Sequence, residues 1–179
     1  GIAKEQWKTA LDCLKSLFPK ALFQKQEGRD IFEKMENAFR YSFSKGSSFS
    51  YLVGADIPFM EAEHFQRVFA LGRKGRQVLG GSLDEGYYGI GLQRRIEPEL
   101  LHACFSYQAV QENRTILAAS TLRNGRSMPE GRAIRPVQKE SPFSYTRKIL
   151  EKSSIPLILL EKKRDVDEGA DLNAYRSML

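Results

Sequence analysis

Cysteine and histidine are scarce. The 179 residues hold two of each, Cys13, Cys104, His64 and His102, with no metal-ligand spacing among them. That argues against a disulfide framework and against a structural zinc site, and leaves two thiols expected to lie buried in a reducing compartment. No apolar run approaches the roughly 20 residues that cross a bilayer, so no membrane partner is expected. No charged, apolar, small-residue leader opens the chain, and Gly1-Ile2-Ala3 reads as the cut end of a longer polypeptide. Gly86, Gly89 and Gly91 lack the strand–GxGxxG–helix setting of a dinucleotide site, and no GKS or GKT phosphate loop occurs. Those glycines are expected to serve tight turns. No Ser/His/Asp set is suggested, and Asp84-Glu85 beside glycine reads as a turn rather than an acid–base pair. The residues thus supply no positive sign of a catalyst, a metal or a cofactor.

Positive charge is what the chain does have. The net charge is +6, and hydrophobic residues at 41% are enough for a core. Between residues 51 and 136, ten of eleven cations are arginine. Arginine offers a planar fork to phosphates and carboxylates, so an anionic partner is expected, either RNA or an acidic protein surface. One candidate surface is Arg73, Lys74, Arg76, Arg94 and Arg95; a second is Arg123, Arg126, Arg132 and Arg135. Tyr87, Tyr88 and Tyr107 would stack bases where exposed.

The pattern changes along the chain. Trp7, Ala10, Leu11, Leu14, Leu17 and Phe18 form one helical stripe ended by Pro19; Ile31, Phe32, Met35, Ala38 and Phe39 form another, and the two stripes are expected to pack together. After Lys45-Gly46-Ser47-Ser48 the period turns β-like. Strands are expected at 49–53, 65–71, 76–79, 87–93, 105–110 and 115–121, with a short helix at 97–103 opened by Pro98. Residues 122–139 read as a long basic loop. Ser141 then caps a helix, and Ile155–Leu160 is an apolar strand running into Glu161-Lys162-Lys163-Arg164-Asp165 and a polar tail. The class is α+β: a helical cluster packed with a strand-and-loop region over residues 1–139, then a small helix–strand module over 140–179.

A strand that emits a basic cluster suggests a docking signal. Glu161-x-Lys163 also has the form of half a metal-dependent nuclease site, but between Gly131 and Leu160 the acids are only Glu140 and Glu151. Phe18-Pro19-Lys20-Ala21 with Arg29–Met35, and Ser141-Pro142 with Ile155–Leu160 and Lys162-Lys163-Arg164-Asp165, are similar to stretches of the cap-binding second basic subunit of orthomyxovirus RNA polymerase. The resemblance covers roughly a third of the chain. It implies a non-catalytic host-range and nuclear-localisation region, found in the host nucleus and the virion. Its partners would be importin-α, held by Lys162, Lys163 and Arg164, together with RNA, other viral polymerase subunits and an acidic host nuclear phosphoprotein. The alternatives are a standalone RNA-binding module and a nuclease using Glu161 and Lys163.

Overall fold

The computed structural model describes residues 4–57, 60–108, 110–112, 140–164 and 166, with side chains from residue 8 onward. Its elements are α1 (Lys4–Leu17), α2 (Ile31–Ser44), β1 (Phe49–Val53), α3 (Ala62–Arg73), β2 (Gln77–Ser82), β3 (Tyr87–Gln93), α4 (Pro98–Cys104), α5 (Pro142–Leu150) and β4 (Leu157–Lys163). The α+β class is as expected.

Local chemistry sets the helix starts. Asp30 caps α2 by accepting the Glu33 amide at 2.9 Å, and Ser141 caps α5 by accepting the Ser144 amide at 3.2 Å. Pro98 and Pro142 occupy first-turn positions, where a missing N–H costs nothing. In α2 the spacing of Phe32, Met35, Phe39 and Phe43 turns one face inward, and Phe39 and Phe43 are buried.

The four strands form one mixed sheet in the order β1-β3-β2-β4. β3 runs antiparallel to both β1 and β2, and β2 runs parallel to β4. β1, β2 and β4 therefore end at the same edge. α3 connects β1 to β2 and packs on one face through Val68 and Leu71, against Val78, Tyr88 and Leu160. The other face holds the larger core, where Phe39, Leu101 and Leu150 from α2, α4 and α5 meet Leu79, Ile90 and Leu92.

Strand glycines seat aromatic rings. A Cβ on Gly91 would lie 2.6 Å from both the Phe49 ring and Val78 Cγ2, and a Cβ on Gly89 would collide with the Tyr51 hydroxyl. Gly86 does sit in a turn, but Gly89 and Gly91 lie inside β3, where a missing side chain admits a neighbour's ring.

Three local expectations are corrected. Residues 65–71 belong to a helix: Phe65, Val68 and Gly72 follow helical spacing, and a short apolar run does not separate strand from buried helix by itself. Residues 107–108 and 110, expected within a strand at 105–110, are helical. The α1 stripe does not pack on α2, for Leu14 and Leu17 are 40% and 66% exposed, and Cys13 on the same helix is exposed while Cys104 is buried. The expected strand at 115–121 and the loop at 122–139 lie outside the described residues.

Gly91→Ala should destabilise the fold by about 1–3 kcal/mol through overpacking, read as a lower urea midpoint at unchanged slope. Phe39→Ala should cost about 3–5 kcal/mol by leaving a cavity in the larger core.

Candidate functional site

The shared carboxyl edge of β1, β2 and β4 is laced by backbone hydrogen bonds. The Gly54 amide donates to the Tyr88 carbonyl at 2.9 Å, the Leu83 amide to the Lys163 carbonyl at 3.1 Å, and the Val166 amide to the Asp56 carbonyl at 3.0 Å. The Asp56 side chain folds back over Gly54, where a Cβ would strike its carboxylate. In open sheets with helices on both faces, ligands settle outside the carboxyl ends of strands. A cleft of about 440 Å³ opens there, between this edge and α2. Met35, Ala38 and Leu52 give it apolar walls, while Lys34 and Asp56 supply charge of opposite sign. A second hollow of about 320 Å³ adjoins it across Gln26, Lys34 and Ala38. The Asn37 side chain fixes its rim by donating to the Glu27 carbonyl at 2.9 Å.

After β2, Asp84 organises the β2–β3 turn. Its carboxylate accepts from the Ser82 hydroxyl and from the Gly86 amide, the latter at 2.9 Å, and Glu85 takes the left-handed backbone conformation at φ 70°. The hydrogen bond from Ser82 first, and that from Gly86 second, hold the Asp84 pKa below its ordinary 3.8, so a negative charge is fixed at the end of β2. The phenols at the start of β3 are protonated: burial raises Tyr87, and it pushes Tyr88 up to about 12. The Tyr87 hydroxyl reaches 4.0 Å from Met35 Sδ, and Tyr88 donates to the Glu161 carbonyl at 3.0 Å.

The expected site residues fall elsewhere. Arg73, Lys74, Arg76, Arg94 and Arg95 do come together, all exposed, at the amino end of β2 and the carboxyl end of β3, the edge opposite the cleft. Gln93 ties that corner by donating to the Gly72 and Arg76 carbonyls at 2.8 and 2.9 Å, and Arg95 donates to the Gly75 carbonyl at 3.3 Å. Arg123, Arg126, Arg132 and Arg135 lie outside the described residues. Lys162 and Lys163 belong to β4 itself, with the Lys163 carbonyl engaged by Leu83, and Arg164 follows directly. Tyr88 and Tyr107 are buried and so are not free to stack on bases; Tyr107 instead donates to the Glu140 carbonyl at 2.6 Å. His102 Nδ1 lies 3.0 Å from Glu36 Oε2, while Arg40 donates to Glu36 Oε1, which satisfies this buried carboxylate. Among the described residues no group of three or more His, Cys, Asp or Glu side chains could hold a metal ion.

Asp56 and Lys34 escaped sequence reasoning. The available signal was Val53-Gly54-Ala55-Asp56, a glycine and a carboxylate placed directly after a strand.

The fold is shared with one solved structure. A crystal structure of a "putative nucleotide-diphospho-sugar transferase" from Desulfovibrio desulfuricans G20 matches 93% of this chain with a TM-score of 0.64 at 22% identity. The chain spans 60% of that protein's length. Residues 3–106 match the family described as uncharacterised proteins conserved in bacteria, DUF2064, and the chain belongs to that family. No curated protein matches it. Membership in a bacterial family overturns the resemblance to an orthomyxovirus polymerase subunit. The viral docking function, the importin-α, viral-subunit and host-phosphoprotein partners, the nuclear and virion locations, and the non-enzymatic reading drawn from that resemblance fall with it. The pattern that misled is physical: a capped helix followed by an apolar strand and three cations suits a sheet strand emerging at a solvent edge as well as it suits a signal.

Asp84→Asn should cost about 1–2 kcal/mol near neutral pH by removing an ionised acceptor. Because the folded pKa is lowered, the wild-type advantage should be complete above pH 3.8 and should vanish as pH falls through the folded value, seen in urea melts at stepped pH.

Proposed function

We propose that the carboxyl-edge cleft binds a nucleotide-diphospho-sugar and that the chain belongs to an enzyme transferring a group from it. The observation that carries this reading is the cleft's position and lining. It lies between α2, the carboxyl end of β1 and the start of β3, with Lys34 and Asp56 lining it beside apolar walls. The fold likeness to the protein from Desulfovibrio desulfuricans supports it.

The chemistry follows from the donor set. Lys34 is the cleft-lining cation suited to the diphosphate. In a glycosyl transfer the bond between the anomeric carbon and the diphosphate oxygen breaks, the acceptor oxygen bonds to that carbon and loses its proton, and charge grows on the leaving diphosphate. Lys34 would stabilise that charge more in the transition state than in the ground state. Asp56, an acceptor-only group when ionised, would take hydrogen bonds from ligand hydroxyls and fix their orientation. Met35, Ala38 and Leu52 would cover an apolar ring face, and the volume of the cleft with its neighbouring hollow suits a ligand of this size.

Titration calorimetry with UDP-, GDP- and TDP-linked sugars, against the free diphosphates and free sugars, should find a linked compound that binds more tightly than its parts. Lys34→Ala and Asp56→Asn should each weaken it by about tenfold. Absence of binding across the panel, or equal binding by both variants, would refute the assignment.

A further inference from the structure

We propose that the edge of the sheet opposite the cleft is a docking surface for an anionic phospholipid bilayer. It is built from Phe69 and Arg73 of α3, Lys74 and Arg76 in the turn to β2, and Arg94 and Arg95 after β3. The inference does not rest on the cleft assignment.

Direct contacts bring these residues together. Phe69 meets Phe49, the first residue of β1, edge-on with 6.0 Å between ring centroids. Phe49 pairs with Gln93, the last residue of β3. The Gln93 side chain donates in turn to the Gly72 and Arg76 carbonyls, so it spans the α3–β2 turn. The Arg94 amide donates to the Ser48 carbonyl at 2.8 Å, and the Arg95 guanidinium to the Gly75 carbonyl at 3.3 Å. Gly75 turns the chain there at φ 72°. Phe69 and Arg73 are one helical turn apart and share a face of α3. The backbone carrying the five cations is thus tied down, while all five residues are exposed.

Their charges are not neutralised. Among the described residues none of the five forms an ion pair. Glu97 and Glu99, the acids that follow Arg95, are exposed at the start of α4 and pair with none of them. Four of the five cations are arginine, whose planar fork takes two phosphate oxygens at once. Neither hollow beside α2 includes any of these residues. The partner therefore meets a spread of cations across strand ends rather than a concave pocket. That suits an extended anionic surface and not a small free anion.

Phe69 favours a bilayer among such surfaces. It is 44% exposed, beside Arg73. A ring flanked by cations fits the boundary between headgroups and acyl chains, where the ring is buried and the cations stay with the phosphates. A nucleic-acid strand would ask for a row of stacking rings, but Tyr88 and Tyr107 are buried and engaged with the Glu161 and Glu140 carbonyls. A peripheral contact needs no spanning helix, and among the described residues no helix is long and apolar enough to cross a membrane. Docking by this edge leaves the cleft uncovered.

The test is cosedimentation with vesicles of equimolar phosphatidylglycerol and phosphatidylcholine, against phosphatidylcholine alone, at stepped salt. The wild type should bind only the anionic vesicles, and binding should fade as salt rises. Arg94→Glu/Arg95→Glu and Arg73→Glu/Lys74→Glu should each weaken it by about thirtyfold or more. Lys8→Glu/Lys15→Glu, the same change of net charge placed on α1, should bind as the wild type does. In a Trp7→Phe background, Phe69→Trp should shift its emission to the blue on anionic vesicles alone. No binding of the wild type to anionic vesicles at low salt, equal loss in the α1 variant, or an unmoved Phe69→Trp emission would each overturn the proposal. So would tighter binding to a single-stranded oligonucleotide than to vesicles, lost in the same variants, which would assign this edge to nucleic acid.

Discussion

The parallel pairing of β2 with β4 is the contact on which the other features depend. Residues 77–82 are buried at every position, enclosed by β3 on one side, β4 on the other and a core on each face. A strand covered on both faces reads as a continuous apolar or small-residue run, and Val78-Leu79-Gly80-Gly81 has that character. Its pairing places residues 157–163 along the edge of the sheet beside β2. It also carries the end of β4 to the edge where β1 and β2 end, where the Leu83 amide donates to the Lys163 carbonyl and the Val166 amide to the Asp56 carbonyl.

Glycine is the second constraint. Phe49 lies over Gly91 and Tyr51 over Gly89, so two aromatic rings of β1 enter space that side chains on β3 would fill. This sets the position of β1 in the sheet, and with it the strand end that delivers Gly54 and Asp56. The Tyr51 hydroxyl that reaches His64 is aimed by the same seat. Backbone pairing, ring packing and the placing of the cleft are thus consequences of one arrangement.

Much of the fold was legible in the sequence. Strands at 49–53 and 87–93 and helices opened by Asp30, Pro98 and Ser141 follow from alternation, caps and proline, which act over a few residues. Residues 65–71 were not legible as helix, because one apolar run satisfies both periods until its partner surface is known. The exposure of Leu14 and Leu17 was invisible for a related reason: a stripe shows that a face is apolar, not that something covers it. The cleft was the hardest to see. Lys34 on α2 and Asp56 after β1 are 22 positions apart in the sequence and meet only through the topology of the sheet. The cations at 73–76 and 94–95 flank two strands that pair and lie at the edge away from the cleft.

The central claim is that ligand binds at the carboxyl edge. The most direct measurement is the change in backbone amide resonances as a nucleotide-diphospho-sugar is added. The account requires the shifts to centre on Gly54, Ala55, Asp56, Tyr88 and Gly89, with the facing turn of α2 at Lys34 and Met35. Shifts centred on Arg73–Arg76 and Arg94–Arg95, with the carboxyl edge unmoved, would contradict it.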